Sequence, residues 1–456
     1  MTESRATAAP GGPAPSLDDC DAPAAASAPD PGLQSTPAGS SAAPAKMTTF
    51  ATLAVPAFRA LWLSGVFSFM AIQMQFLLRG WLAWELTERE SALGTVFFFF
   101  GLALLVSTPL GGVAADRLPK RPLLIAGQLI LLLTALGMGI ALATDIIQFW
   151  MLVVSSALQG LMFGLIGPAR ISMTTELVGR ERMGNAITLS SLSLSGSRVF
   201  APSLAGILAG WALVGLSGTY FVSSALAALS LVLLFPLPAT PRARRDASAS
   251  RTRPNPLAEI RLGVRYAMSR PGLRRTILIS LFVMMFGFNY VAFMPAFVEG
   301  EFGLGVFEVG LISSVGSIGA VVAATLLARH ADGPHAGSLL VAAGFGFGVT
   351  VAVLSTMPSF WLACVVSLGI GASSTGFMAL TQTLGMRATT EAYQGRVQSL
   401  LQLPFAMFAL MALPLGALAE WVGVRGALAT MGVGVVVAMS LYVVAFRRAE
   451  MADAEP

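Results

Sequence analysis

Twelve apolar stretches dominate the sequence between residues 58 and 446. Each is about 20 residues long, which is the length that an α-helix needs to cross the hydrocarbon core of a bilayer. Short polar connectors separate the stretches, and only 11% of all residues are Asp, Glu, Lys or Arg, whereas a soluble domain carries about a quarter. Because each backbone polar group in lipid must be satisfied within its own segment, the sequence predicts an all-α membrane protein.

These spans divide the chain into five parts. We expect a disordered tail at 1–57, a six-helix bundle at 58–236, a basic linker at 237–275, a second six-helix bundle at 276–447 and a short tail at 448–456. The first tail is rich in Ala, Pro, Ser and Gly, a composition that cannot bury enough apolar surface to fold. The expected spans are 60–84, 91–112, 122–143, 148–168, 184–210, 213–236, 276–298, 306–328, 337–356, 360–383, 397–419 and 424–446.

A weak internal repeat supports the division into two bundles. Gly94 and Asp116 flank the second span, and Gly310 and Asp332 flank the eighth at the same spacing. Duplicated six-helix halves are the arrangement of major facilitator transporters, in which the substrate site lies between the halves near the middle of the membrane. We therefore predict twelve transmembrane helices in two pseudo-symmetric six-helix bundles, the major facilitator fold.

The distribution of positive charge predicts the orientation of the helices. The chain contains 28 Lys and Arg residues, and all but four of them lie on the predicted side of both termini. The exceptions are Arg79 and Arg198 inside spans, and Arg89 and Arg425 in connectors on the opposite side. Cytoplasmic loops of membrane proteins are enriched in Lys and Arg. We therefore expect both termini in the cytoplasm and the helices in the inner (plasma) membrane.

The second part of the linker has a helical pattern. In LAEIRLGVRYAMSRPGLRR, residues 257–275, apolar residues recur at helical spacing with arginines between them. A helix that lies on the anionic inner leaflet and a solvated cytoplasmic helix fit this pattern equally well.

A charged segment, GVAADRLPKR at 112–121, follows the second span. It resembles the signature loop between helices two and three of the major facilitator superfamily, in which Gly, Asp, Arg and two basic residues recur at this spacing. The resemblance implies that Asp116 caps a neighbouring helix, pairs with Arg170 at the end of the fourth helix, and so latches the bundles in one state. A basic loop that only sets the orientation is the alternative, but such a loop would not need Asp116. The residues of the predicted latch are Gly112, Asp116, Arg117, Lys120, Arg121 and Arg170.

Longer stretches indicate a branch of this superfamily. The segments 58–87, 180–189 and 391–401 resemble the branch that contains macrolide efflux proteins and the enterobactin exporter. The segment GSRVFAPSLAG at 196–206 is similar to the helix-five pattern of exporters, which implies a bent and closely packed helix with an antiporter role. Small residues and proline that only pack the helix are the alternative. The residues of the predicted bend are Gly196, Pro202 and Gly206.

Arg198 lies near the middle of the fifth predicted span. Ser191, Ser195 and Arg198 are spaced by three or four residues, so they share one face of the helix. Because ionisable groups inside a membrane are costly and mark functional sites, we expect this face to line the central cavity. The alternative is a structural role, in which these side chains bond carbonyl groups of neighbouring helices.

Other polar residues also lie within the spans. Arg79 shares a face of the first helix with Gln75, and it either faces the cavity or extends to the outer interface. Gln159 matches the superfamily's helix-four pattern Arg-x-x-Gln-Gly, but Ser156 stands at the place of the arginine. The predicted cavity residues are Arg198, Ser195, Ser191, Gln75, Arg79, Gln159, Asn289, Gln382 and Gln402.

The middle parts of the spans contain no Asp or Glu. Proton-coupled transport usually needs a carboxylate that loads and releases a proton. The family resemblance implies coupling to an ion gradient, with the proton as the first expectation, but the nearest candidate carriers are Glu85 and Glu308 at span ends. Two arginines in spans without acidic partners favour an anionic or polar cargo.

Together these features predict a transporter. We expect a secondary active transporter that exports a small organic molecule, siderophore or drug-like, by alternating access; the alternatives are an importer of a small metabolite and a transporter-like sensor without flux. The sequence has no nucleophile–base–acid set, no phosphate loop and only two cysteines, Cys20 and Cys364. We therefore expect that the protein is not an enzyme and that it binds no metal ion or cofactor. The expected partners are a small-molecule substrate and the lipid bilayer, without nucleic acid, and the expected state is a monomer.

Overall fold

The computed structural model of the protein describes residues 49–179, 182–238, 256–327, 333, 335–390 and 394–454. Helices make up most of this part of the chain, and no strand occurs in it. The predicted all-α fold class is therefore confirmed. Residues 1–48 and most of the first part of the linker lie outside the described residues, so the predicted domain boundaries stay predictions.

The described chain begins with a 3-10 helix at Thr49–Ala54. The α-helices are α1 Pro56–Thr87, α2 Glu90–Arg117, α3 Lys120–Ala143, α4 Phe149–Val178, α5 Met183–Gly210, α6 Gly215–Val232, α7 Pro256–Ser269, α8 Pro271–Phe286, α9 Tyr290–Phe302, α10 Val306–Leu327, α11 Ala336–Leu354, α12 Phe360–Arg387 and α13 Gln394–Ala454.

Both ends of the described chain are helical within the ranges predicted as tails. The 3-10 helix precedes residue 57, and α13 continues to Ala454. Near the first end, Leu53 and Val55 pack against a buried cluster that contains Phe58 and Val178. Burial of these apolar side chains stabilises an ordered structure in the last residues of the predicted tail.

Ten stretches of the described chain are long and apolar enough to cross a bilayer. One of them lies in α13, whose 61 residues are interrupted at Gly423, with φ of 75° and ψ of 165°. An uninterrupted helix of that length would be about 90 Å long, about three times the hydrocarbon thickness. Dividing α13 at Gly423 and adding α5, with 28 residues, reaches the predicted count of twelve, whereas the apolar stretches alone number ten.

The seventh predicted span, 276–298, is interrupted. It is a single apolar crossing from Pro271 to Phe302, but α8 ends at Phe286 and α9 begins at Tyr290. Its average hydropathy is high over the whole range, and for this reason the sequence predicts one helix. The break places Asn289, the residue before α9, at the junction of the two helices.

The same pairs of helices pack against each other in both halves of the chain. In the first half α2 packs on α4, and α3 packs on α6. In the second half α10 packs on α12, and α11 packs on α13, where Gly348 of α11 lies against Gly432 beyond the break. The second and fourth crossings thus correspond to the eighth and tenth. This repeated packing agrees with the predicted pair of pseudo-symmetric bundles.

Two seams join the bundles: α2 packs on α13, and α5 packs on α10. At Gly94 of α2, an added Cβ would lie 2.9 Å from the Cα of Leu413. At Gly310 of α10, it would lie 2.6 Å from the Cα of Gly206 in α5. Small residues allow membrane helices to approach this closely. The two glycines of the sequence repeat, Gly94 and Gly310, therefore occupy corresponding places, each against a helix of the other bundle.

Candidate functional site

Arg198 lies at the junction of the two bundles. It is half-buried on α5, and its guanidinium carbon lies 5.2 Å from the centre of the Phe405 ring on α13. A guanidinium at this distance from an aromatic ring is attracted by the ring's negative face. The side chain thus crosses from the first bundle to the second. Ser191, Ser195 and Gln402 have side chains outside the described part, so the predicted polar stripe stays a prediction.

Arg79 is buried inside the first bundle, where 2% of its surface is exposed. Its Nε donates to the carbonyl oxygen of Gln75, 3.1 Å away, and its Nη1 donates to Ser156 Oγ, also at 3.1 Å. Its Nη2 donates to Gln159 Oε1. The guanidinium therefore points to α4, and it does not extend to the outer interface.

The guanidinium of Arg79 lies at the place on helix four where the superfamily pattern has an arginine and this chain has Ser156. Ser156 and Gln159 lie one turn apart on α4, and Arg79 of α1 donates hydrogen bonds to both. Arg79 and Gln159 are both among the predicted cavity residues, but their direct contact was not predicted. The signal that points to it is the serine at position 156, which leaves space for a guanidinium from another helix.

Two other predicted cavity residues tie helices together within a bundle. Gln75 Nε2 donates to Ser223 Oγ of α6, 3.1 Å away. Asn289 Nδ2 donates to the carbonyl oxygen of Phe408 on α13, 3.1 Å away, and it is fully buried. Gln382 is half-buried on α12. Gln75 and Asn289 thus occupy positions in the walls of the bundles.

The basic residues of the predicted latch anchor α3 and α4. Lys120 forms an ion pair with Glu176 of α4, a partner that the sequence analysis did not identify. Arg121 Nη2 donates to the carbonyl oxygen of Phe235, 2.5 Å away. These contacts join the start of α3 to neighbouring segments of the same bundle.

Arg170, the predicted partner of Asp116, contacts α1. Its Nη1 donates to the carbonyl oxygen of Leu61 at 3.2 Å, and its guanidinium carbon lies 5.8 Å from the centre of the Phe69 ring. A Cβ at Gly65 would lie 2.9 Å from Nη1, so the glycine makes room for this side chain. The side chains of Asp116 and Arg117, and the surroundings of Gly112, lie outside the described set. The latch therefore stays a prediction.

The three residues of the predicted helix-five bend differ in their surroundings. Pro202 lies inside α5, where it cannot donate to the carbonyl group of Arg198. Gly206 packs against the backbone of Gly310, whereas Gly196 has no heavy atom within 4 Å of an added Cβ. Close packing thus applies to Gly206 and not to Gly196.

Ion pairs lie at the ends of the helices that are opposite to the termini. Arg89 Nε lies 3.2 Å from Glu420 Oε1 and joins the two bundles. Arg425 Nε lies 2.5 Å from Glu301 Oε2, within the second bundle. Among the described residues, no group of three His, Cys, Asp or Glu side chains is placed to hold a metal ion.

On the side of the termini, α7 contacts the connector between α12 and α13. The Tyr266 hydroxyl lies 3.2 Å from Thr390 Oγ1, and the Thr390 backbone N–H donates to it at 3.2 Å. These hydrogen bonds lower the pKa of Tyr266 from its ordinary value. The guanidinium of Arg270, which lies 5.0 Å from the centre of the Tyr266 ring, lowers it further. The linker helix is thus attached to the second bundle.

Comparisons with known proteins place this arrangement among solved transporter folds. A bacterial homologue of the human lysosomal transporter Spinster, in an inward-facing conformation, matches with a TM-score of 0.67 at 15% identity over 86% of this chain and 96% of that one. The human organic anion transporter MFSD10 matches with a TM-score of 0.60 at 14% identity, over 85% of this chain and 98% of that one. At these identities the likeness shows the fold.

Sequence relatives agree with the structural likeness. The enterobactin exporters EntS of Citrobacter koseri and of Shigella boydii are each 24% identical over 351 residues, which cover 76% of this chain and 80% of the relative. The sequence model of the Major Facilitator Superfamily matches residues 61–403, three quarters of the chain. The predicted family resemblance is confirmed, and the chain belongs to the Major Facilitator Superfamily.

Proposed function

We propose that the protein exports a small organic molecule across the inner membrane by alternating access of its two bundles. The observation that carries this proposal is the contact between Arg198 of α5 and Phe405 of α13. A cation beside an aromatic ring at the junction of two bundles is suited to bind an organic molecule with polar or anionic groups. Separation of the bundles would expose both side chains to the cargo.

The seams between the bundles are consistent with a change between two states. Glycine contacts at Gly94 and Gly310 depend on shape alone, and the ion pair of Arg89 with Glu420 is exposed. Exposed ion pairs contribute about 0–1 kcal/mol, so these contacts can separate without a large cost. A coupling ion, which we propose to be the proton, would bias the two states. The proposed orientation has both termini in the cytoplasm, and the proposed unit is a monomer.

The direction of transport rests on the relatives. The 24% identical relatives are named enterobactin exporters, and we carry over the direction and the general class of cargo, a siderophore or drug-like molecule. Two arginines away from the charged connectors, Arg79 and Arg198, favour an anionic member of that class. This preference separates the proposal from export of cationic drugs.

Accumulation measurements in cells test the proposal. Cells with and without the gene would be loaded with an anionic catecholate siderophore or with cationic ethidium, in the presence and absence of a protonophore. We expect the gene to lower accumulation of the siderophore, and the protonophore to abolish the difference. Higher accumulation in cells that carry the gene would indicate an importer and would overturn the proposed direction.

Variants of Arg198 connect this assay to the site. We expect Arg198→Ala to lower siderophore efflux at least about tenfold, which corresponds to the loss of about 1.4 kcal/mol of interaction, and Arg198→Lys to retain part of it. Arg59→Ala is the matched control, since Arg59 is exposed on the first turn of α1. Normal efflux by the Arg198→Ala protein would show that Arg198 does not bind the cargo.

A further inference from the structure

The cluster around Arg79 contains more hydrogen-bond donors than acceptors. The guanidinium is positively charged, and among the described residues no carboxylate forms an ion pair with it. Its hydrogen-bond partners are the neutral oxygens of Gln75, Ser156 and Gln159. A buried charge is normally compensated by an opposite charge, because transfer out of water is costly. The site as it stands therefore lacks negative charge.

Two polar atoms beside the guanidinium also lack a partner. Gln159 Nε2 and the Tyr220 hydroxyl are buried without a hydrogen bond, and the exposed fractions of the two residues are 1% and 0%. Gln75 of α1 donates to Ser223 Oγ of α6. Arg79 and Tyr220 each lie about one helical turn from this pair toward the same end of the bundle, which places the phenol on the Arg79 side of α6. Both atoms are able to donate a hydrogen bond. Buried donors without partners are uncommon in proteins, and here two of them accompany an uncompensated cation.

Aromatic rings separate this cluster from the junction of the bundles. The rings of Phe76 and Phe97 lie 4.7 Å apart between their centres, and Phe97 in turn lies 6.4 Å from Phe408 of the second bundle. A gap between these rings leads to the guanidinium; it is too small for a water molecule as it stands, so an anion enters it only when the rings move apart. Its lining residues are Phe76, Arg79, Val96, Phe97, Phe100 and Ser156.

We propose that Arg79, Gln159 Nε2 and the Tyr220 hydroxyl form a binding site for a monovalent anion. The guanidinium supplies the charge, and the amide and the phenol donate the hydrogen bonds that fix the anion's position. The anion is either a free inorganic ion or the carboxylate of an organic molecule, whose apolar part would contact the aromatic rings. The organic case rests on the proposed transport function, whereas the inorganic case is independent of it.

Thermal unfolding of the purified full-length protein in detergent tests the site without a flux assay. The probes are chloride and benzoate, each compared with gluconate at equal ionic strength. A ligand that binds the folded state raises the unfolding temperature, and we expect a saturable rise of about 2–4 °C. A rise with chloride identifies a free inorganic anion, and a rise with benzoate alone identifies an organic carboxylate. No rise with either probe would overturn the proposal.

Gln159→Glu supplies the missing negative charge within the protein. A carboxylate at this position accepts the hydrogen bond that Gln159 Oε1 accepts now and neutralises Arg79. We expect this variant to unfold at the same or a higher temperature than the wild type in gluconate, and to lose the response to chloride or benzoate. A response equal to that of the wild type would contradict an anion site at Arg79.

Gln128→Glu is the matched control. Gln128 has the same exposed fraction of 1%, but it bonds Ser68 Oγ and the carbonyl oxygen of Ala227 and no cation. A carboxylate there is uncompensated, so we expect a lower unfolding temperature than that of the wild type. If Gln159→Glu destabilises the protein as much as Gln128→Glu does, Arg79 is already compensated and the proposal fails.

Discussion

Gly196 and Gly206 lie on the same helix, α5, in different surroundings. At Gly206 an added Cβ would collide with the backbone of Gly310 and lie 3.1 Å from the carbonyl oxygen of Val306, whereas the space at Gly196 is open. One methyl group therefore has opposite consequences at these two positions. Gly206 brings α5 against α10, and Gly196 makes no contact that requires a glycine.

We expect Gly206→Ala to reduce siderophore efflux about tenfold. The methyl group separates α5 from α10, and overpacking of this kind costs about 1–3 kcal/mol. Gly196→Ala is the matched control; it should leave efflux unchanged and stabilise α5 by up to about 1 kcal/mol, because Ala has the higher helix propensity. Efflux and thermal unfolding of the two variants measure these effects. Equal efflux by both proteins would show that the seam does not limit transport.

Individual side-chain pairs are the part of the site that the sequence could not predict. Arg79 and Ser156 are 77 positions apart, and their contact depends on the rotation of α1 relative to α4. The apolar pattern of the helices is too uniform to specify this rotation. The residue types predicted Arg79 and Gln159 as candidate cavity residues, but not that they contact each other. Gln75 and Asn289 carried the same sequence signal, and the structure places them in contacts between helices.

At the scale of elements, α7 is the part of the linker that the structure attaches to the second bundle. The buried residues Ala267 and Leu273 pack with Val397 of α13. Tyr266 adds the polar contact with Thr390. A single residue, Arg270, separates α7 from α8, so the linker helix lies next to the start of a membrane crossing. This agrees with the predicted helix but leaves both predicted environments, lipid surface and solvent, as predictions.

The pKa of Tyr266 gives a test of this attachment. Hydrogen bonds donated to the phenolate oxygen favour the charged form and lower the pKa. The contact is therefore strongest above the ordinary tyrosine pKa of about 10, and this additional stability is lost as the pH falls through the lowered value. We expect the absorbance difference between wild type and Tyr266→Phe to titrate below the ordinary tyrosine pKa of about 10.

Replacement of the donor should reverse the shift. Thr390→Val removes the hydroxyl group, and we expect the pKa of Tyr266 to rise toward its ordinary value. Thr389→Val is the matched control, because Thr389 donates to the carbonyl oxygen of Gly385 and not to Tyr266. An unchanged titration in the Thr390→Val protein would show that another group lowers the pKa.

Helices were the most predictable elements, since each apolar stretch is long enough to cross a bilayer and few polar residues interrupt it. The exceptions have physical causes. The break between α8 and α9 lies inside a stretch whose overall hydropathy is continuous, and only Gly287 and Asn289 mark it in the sequence. The ends of α2 and α4, at Arg117 and Val178, extend beyond the predicted spans, because a helix continues in the polar interface after its apolar part ends.

At the scale of the whole molecule, several contacts between the bundles lie at the helix ends opposite to the termini. Gly94 and Gly310 lie in the second turns of α2 and α10, and the ion pair of Arg89 with Glu420 lies beside the first seam. If both termini are cytoplasmic, as proposed, this is a state closed toward the outside. Alternating access then requires these contacts to separate in each transport cycle.

A covalent bridge across the seam should therefore stop transport. We expect a short bis-methanethiosulfonate cross-linker, which forms a disulfide with each thiol, to join Arg89→Cys with Glu420→Cys in a protein that lacks Cys20 and Cys364. This bridge should abolish siderophore efflux until a reductant cleaves the disulfides. Glu301→Cys with Arg425→Cys is the matched control, since this ion pair lies within the second bundle and its bridge moves with that bundle. Efflux that continues with the first bridge intact would mean that the bundles do not separate at this end. The halves would then not rock against each other, whatever the cargo.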